Sequence, residues 1–208
     1  GANVRNWKGQ IGVIFTHEIF HLWVPNSLAL KGEYDWFFEG FTMYVALQVA
    51  LKLKLINFQE YLKTLSRVYN SYLASPDDQT LIQASVSRWT TSNSLVYNKG
   101  MLVAFIYDLT LLSSTKGRAT LGGVYPLLFR SVDEPASAND VIISLLSSSP
   151  ATSRFSKLYI ESTESIDLER ILPSFGFQVS NGSDAQISVR KDVTDEQKKL
   201  LQSLGYRK

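Results

Sequence analysis

Both histidines of this 208-residue chain fall in one short window, His17-Glu18-Ile19-Phe20-His21, and Glu39 follows downstream. On a helix, residues four apart lie on one face, so His17 and His21 can turn two imidazoles toward a single cation. Glu18 sits one step round, where it can hold a metal-bound water rather than the metal. This is the H-E-x-x-H pattern of zinc hydrolases. Structural zinc sites close with four protein ligands, whereas catalytic sites use about three and keep one position open. Glu39, in Trp36-Phe37-Phe38-Glu39-Gly40-Phe41-Thr42, is the expected third ligand. The chain has no cysteine, so a cysteine-containing structural site is excluded. The competing reading is a hydrogen-bonded pair of core histidines with no ligand role. Glu39 in its E-G-F setting favours the metal.

Helices must position these groups. The pattern predicts a first helix from about Lys8 to Trp23, stopped ahead of Pro25 because the residue before proline is pushed out of the helical region. A second, about Asp35 to Leu53, carries Glu39. Asn57 with Glu60 reads as a capping box opening a helix to about Leu73, with Tyr61, Leu62, Leu65, Tyr69 and Tyr72 on its apolar face. Ser75-Pro76-Asp77-Asp78 breaks it, and a polar stretch rich in Ser and Thr follows. A long helix is then expected from about Tyr97 to Leu112, its Met101, Leu102, Phe105, Ile106, Leu109 and Leu112 stripe facing the core. Shorter helices are expected at 124–130, 139–146, 153–160 and 168–172. Residues 177–180 and 186–190 alternate around Asn181-Gly182, a hairpin signal. Thr194 with Gln197 caps a last helix to about Leu204. The fold class expected is mainly α with one small hairpin, residues 1–176 forming the metal-bearing unit and 177–208 packed on it.

Composition narrows the function classes. Hydrophobic residues are 45% and charged residues 19%, ordinary globular usage. A formal net charge of +2 without a basic block argues against nucleic acid as a partner. The most apolar runs, 43–56 and 101–113, fall short of the roughly 20 residues a membrane span needs. No spanning segment is expected. Cysteine usage leaves the compartment open.

Three segments together, T-H-E-I-F-H-L-W from Thr16, W-F-F-E-G-F-T-M-Y from Trp36 and V-Y-N-K-G from Val96, resemble the gluzincin metallopeptidases. The chain is similar to the glycyl aminopeptidase family and the related aminopeptidase N and leukotriene A4 hydrolase group. The resemblance implies the helical half of a thermolysin-like catalytic domain and a zinc-dependent peptidase, with an aminopeptidase the nearest class. It implies His17, His21 and Glu39 as Zn²⁺ ligands, Glu18 as general base, and Tyr97 as stabiliser of the oxyanion, opening its helix. The substrate implied is a peptide.

The sequence also departs from that pattern. Seventeen residues separate His21 from Glu39, one fewer than in the aminopeptidase N arrangement. Thermolysin-like relatives place an aspartate where Met43 stands, so Thr42 or a backbone carbonyl must accept the zinc histidines' second N–H. Only sixteen residues precede His17, too few for the substrate-binding sheet of such enzymes. The chain is therefore expected to be part of a longer catalytic unit, weakly active or inactive alone. An exposed apolar surface around Ile11, Val13 and Ile14 is expected, suited to the rest of the protein or to self-association. Two other functions fit the same residues: a metal-binding but silent scaffold, and a non-peptide hydrolase. Lys99 is expected to be solvated, and Glu33 and Asp35 to lie on a solvent-facing loop.

Overall fold

Helix α1 runs from Ala2 to Phe20 in the computed structural model, which describes residues 2–75, 78–130, 136–180, 182 and 184–207. It ends three residues earlier than Trp23. The chain then turns through residues 21–27, with Val24 N–H donating to Phe20 O and the Ser27 hydroxyl to Leu22 O. Strand β1 (Leu30–Lys31) pairs in parallel with β2 (Ala136–Ser137), a short bridge that the sequence did not signal. A π-helical turn, Trp36–Phe41, then leads straight into α2 (Thr42–Lys52). Helix α3 (Phe58–Leu73) opens on the expected capping box: Asn57 Oδ1 accepts from Glu60 N–H at 2.9 Å, and Glu60 Oε2 accepts from Asn57 N–H at 2.8 Å. Its five apolar-face residues are all buried. Of the break that follows, Pro76 and Asp77 lie outside the described residues.

The polar stretch beyond is helical rather than irregular. Thr80 and Gln83 form a second capping box that opens α4 (Leu81–Val86), and a second π-helical turn, Arg88–Ser92, runs into α5 (Asn93–Ser114). Tyr97 therefore stands one turn inside its helix instead of opening it. The combined helix, 27 residues, is long and apolar enough to cross a membrane by length and composition, yet 83% of its apolar window is buried within the protein. A helix apolar on every side belongs in a core when neighbours cover it. Here α2, α3, α4, α10 (Asp195–Ser203) and the first π-turn cover it. The predicted stripe from Met101 to Leu112 is buried throughout, and so, against expectation, is Lys99. Its amine reaches the Glu164 carbonyl at 3.4 Å. Asp108 sits in the same core. It accepts from Tyr44 Oη at 2.8 Å and Leu121 N–H at 2.7 Å, while Gln48 joins Tyr44 to Tyr61, so one polar network ties α2, α3 and α5.

The remaining helices are α6 (Val124–Arg130), α7 (Ala138–Leu146), α8 (Phe155–Tyr159) and α9 (Leu168–Ile171), close to expectation. Strand β3 (Phe177–Ser180) pairs antiparallel with β4 (Gln186–Val189), register Phe177↔Val189. Asn181 of the expected turn lies outside the described residues. The edge of β4 is closed by α3: Ser66 Oγ accepts from Ile187 N–H, and the Asn70 amide bonds both backbone groups of Ala185, each contact at 2.9 Å. Such edge cover removes a template for strand addition. Beside α2, helix α1 leaves Ile11 (44%), Ile14 (56%) and Phe15 (64%) exposed, while Val13 is half-buried against the core.

The first π-turn meets α5 backbone to backbone. A Cβ on Gly40 would stand 2.6 Å from Gly100 Cα and 2.7 Å from Val96 O, and one on Gly100 would stand 2.9 Å from Trp36 O. Neither neighbour can yield, since both are main chain. Gly40→Ala and Gly100→Ala are each expected to lower stability by about 1–3 kcal/mol through overpacking. Urea unfolding reads this directly; wild-type midpoints for both variants would show that the two helices do not pack this closely.

Candidate metal centre

Three side chains from two elements converge on one point. His17 lies near the end of α1, His21 one residue beyond that end, and Glu39 within the first π-turn. His17 Nε2 is 3.0 Å from Glu39 Oε2 and 3.1 Å from His21 Nε2, and His21 Nε2 is 3.4 Å from Glu39 Oε2. His17 and Glu39 are buried at 5% exposure, and His21 is half-buried. The π-turn packs against α5 through Gly40, which places Glu39 over the histidines. Single π-turns within α-helices are frequent at functional sites.

What the three atoms carry follows from their neighbours. Thr42 Oγ1 can donate its one proton to the carbonyl of Phe38 or of Glu39, so its oxygen accepts from His17 Nδ1 at 3.1 Å. His21 Nδ1 donates to Val24 O at 2.9 Å. Both alternatives expected for the second N–H are therefore used, Thr42 for one ring and a backbone carbonyl for the other. With Nδ1 protonated, each neutral imidazole presents a bare lone pair at Nε2. Those two lone pairs and a carboxylate oxygen face each other. A proton between two of the atoms would relieve one contact; a cation at their centre relieves all three. Zinc–nitrogen bonds of 2.0–2.1 Å in a tetrahedron put ligand atoms about 3.3 Å apart, and the observed separations match. The donor set fits zinc.

Of the other expected residues, Tyr97 borders this centre. Glu18 is exposed, next to His17 on α1. The Tyr97 ring lies 6.4 Å from that of His17, centroid to centroid. Burial and the Glu39 charge push the Tyr97 phenol up, so it stays protonated throughout the neutral range. Burial alone would raise the Glu39 carboxyl, but its contacts with His17 and Tyr97 and the Arg88 charge hold it below the ordinary range.

One residue enters that the sequence did not single out, and another is placed differently from expectation. Arg88, buried at 8% exposure in the second π-turn, donates through Nη1 to Asp35 at 2.5 Å and through Nη2 to Glu39 Oε1 at 2.6 Å and Tyr97 Oη at 3.0 Å. Asp35 is therefore buried at 4% exposure and paired, not on a solvent-facing loop, although Glu33 is exposed as expected. Neither residue carries a spacing signal; they meet only because two π-turns bring residues 53 apart together.

Residues 11–103 match the M61 glycyl aminopeptidase family. No curated protein matches the chain. Among solved structures, the fold is similar to an aminopeptidase N family protein from Idiomarina loihiensis, with a TM-score of 0.69 and 22% identity over 90% of this chain. This chain spans 37% of that protein's length.

If the lone pairs await a cation, zinc binds the folded chain and not the unfolded one. At a free zinc level about a thousand times Kd the gain is about 4 kcal/mol, or roughly 10 °C in Tm for a chain of this size. His21→Ala is expected to abolish the shift. A wild-type Tm indifferent to zinc, or a variant that keeps the full shift, would contradict the assignment.

Proposed function

We propose that this chain, whose residues 11–103 match the M61 glycyl aminopeptidase family, is the zinc-bearing helical part of a metallopeptidase acting on peptide bonds at a free amino terminus. The observation that carries the reading is the convergence of His17 Nε2, His21 Nε2 and Glu39 Oε2 with their second atoms already committed elsewhere. A zinc ion held by these three residues would act as a Lewis acid on the scissile carbonyl and bring the pKa of water near 7. Glu18 is the general base: its exposed carboxylate, adjacent to His17, takes the proton of the attacking water and later passes it to the leaving amine. Tyr97 supports the oxygen on which negative charge develops, where one fixed donor is worth about 10²-fold or more in kcat. Burial suits it to that task, since a phenol whose pKa is pushed up keeps its proton until a substrate oxygen arrives. In this reading residues 1–176 form the zinc-bearing unit and residues 177–208 are packed on it, the partner is the remainder of the protein, and the apolar strip of Ile11, Ile14 and Phe15 is part of the surface it covers.

Two substitutions in the whole protein separate the roles. Glu18→Gln should retain zinc while losing nearly all turnover, because an amide cannot accept the water's proton. Tyr97→Phe should lower kcat by about 10²-fold with KM little changed, the mark of a contact made in the transition state. Steady-state kinetics on aminoacyl-chromophore substrates, with zinc content measured on the same samples, checks both. A Tyr97→Phe variant with raised KM and unchanged kcat would make Tyr97 a binding residue instead.

A further inference from the structure

The guanidinium of Arg88 touches the outer oxygen of the third ligand and the hydroxyl of the tyrosine at once, and nothing in the metal chemistry requires an arginine there. We propose that Arg88 is the positioning residue of this centre: it restricts Glu39 to one coordinating oxygen and, by donating to the Tyr97 oxygen, fixes the phenol beside that carboxylate. The inference rests on the zinc-peptidase reading above.

The donor and acceptor count supports it. A carboxylate has two oxygens and can grip a cation with both. Glu39 Oε2 faces the histidines, while Oε1 accepts from Arg88 Nη2 at 2.6 Å. A charge-assisted bond of that length is strong, and its geometry directs the Oε1 lone pairs outward. Glu39 thus offers one atom, the count at three stays, and a fourth position is left for water and substrate, as an open catalytic site requires. The same Nη2 donates its other hydrogen to Tyr97 Oη at 3.0 Å. An arginine has no acceptor, so the tyrosine oxygen must be the acceptor here, which leaves the Tyr97 proton on the side of Glu39, whose contact holds the phenol up.

Arg88 is itself held firmly. Asp35 accepts from Nη1, and the rings of Trp89, Tyr97 and Phe38 surround the guanidinium carbon with centroids at 4.4, 5.5 and 5.8 Å. Such stacking suits arginine's flat, weakly hydrated head and not the point charge of lysine. Asp35 precedes the π-turn that bears Glu39, so one planar group ties the entry and the middle of that turn to Tyr97 on α5.

Arg88 cannot simply be deleted, because Asp35 would then be a buried charge without a partner. The test uses Asp35→Asn with Arg88→Met, which removes both charges of that pair, beside Asp35→Asn alone, Arg88→Lys and the wild type, each loaded with cobalt(II) as the probe. Removing a nearby positive charge favours any cation, so affinity is a poor readout; ligand geometry is a good one. The wild type and Asp35→Asn are expected to show the intense visible band of four-coordinate cobalt. In the double variant and in Arg88→Lys that band should weaken several-fold as Glu39 binds through both oxygens. In the whole protein these two should lose about 10²-fold in kcat with KM changed little. A double variant with the wild-type band and turnover overturns the role of Arg88 and leaves the metal centre standing, and so does an Asp35→Asn variant that alone reproduces the loss. A wild type that takes up no cobalt overturns the metal centre and this role with it.

Discussion

Two imidazole nitrogens and one carboxylate oxygen, the second atom of each already engaged by a neighbour, are pressed to about the edge length of a zinc tetrahedron. Much of the surrounding structure holds these three atoms together. Thr42 and Val24 fix the ring tautomers, and Arg88 draws the second Glu39 oxygen outward. An isolated helix with two histidines four apart would not hold this state; the rings would turn to solvent.

The imposing force comes from packing behind the site. Glu39 and Tyr97 belong to different helices, and their relative position depends on the contact of Gly40 with Gly100. Two neighbouring motifs, E-G-F and Y-x-K-G, thus each contribute a chemical residue and a glycine whose lack of side chain lets the backbones touch. Lys99, between Tyr97 and Gly100, lies on the buried side of α5, while Tyr97 and Asn98 keep partial exposure. The core aromatic cluster of Trp36, Phe37 and Phe41 anchors the π-turn from the other face, and Asp108 with Tyr44 locks α2 to α5 further along. Stability and chemistry share these elements, so loosening the core loosens the ligand set.

How much of this the sequence declared depended on whether a feature was local. Capping at Asn57 and Thr194 and the apolar stripes of α3 and α5 are written in residues three or four apart, and the structure follows them. The pairing of His17 with His21 on one face is legible for the same reason, and of the two acceptors weighed for the second N–H, Thr42 meets one ring and a backbone carbonyl the other. The capping box at Thr80 was there to be read but lay in a polar run that resembled a loop. The π-turns and the β1–β2 bridge have no local pattern, and the Arg88–Asp35–Glu39 cluster joins residues about 50 apart. Burial of Asp35 could not be inferred without its partner, because an unpaired aspartate belongs in water.

The central claim is that this pocket holds one cation through two imidazoles and one carboxylate oxygen. Zinc-edge X-ray absorption on the zinc-loaded chain reports ligand type, number and distance together. The expected result is a four-coordinate shell of nitrogen and oxygen at about 2.0–2.1 Å with the outer scattering of two imidazole rings. A six-coordinate oxygen shell without imidazole scattering would mean that zinc sits elsewhere on the surface, and the convergence of His17, His21 and Glu39 would then have to be explained without a metal.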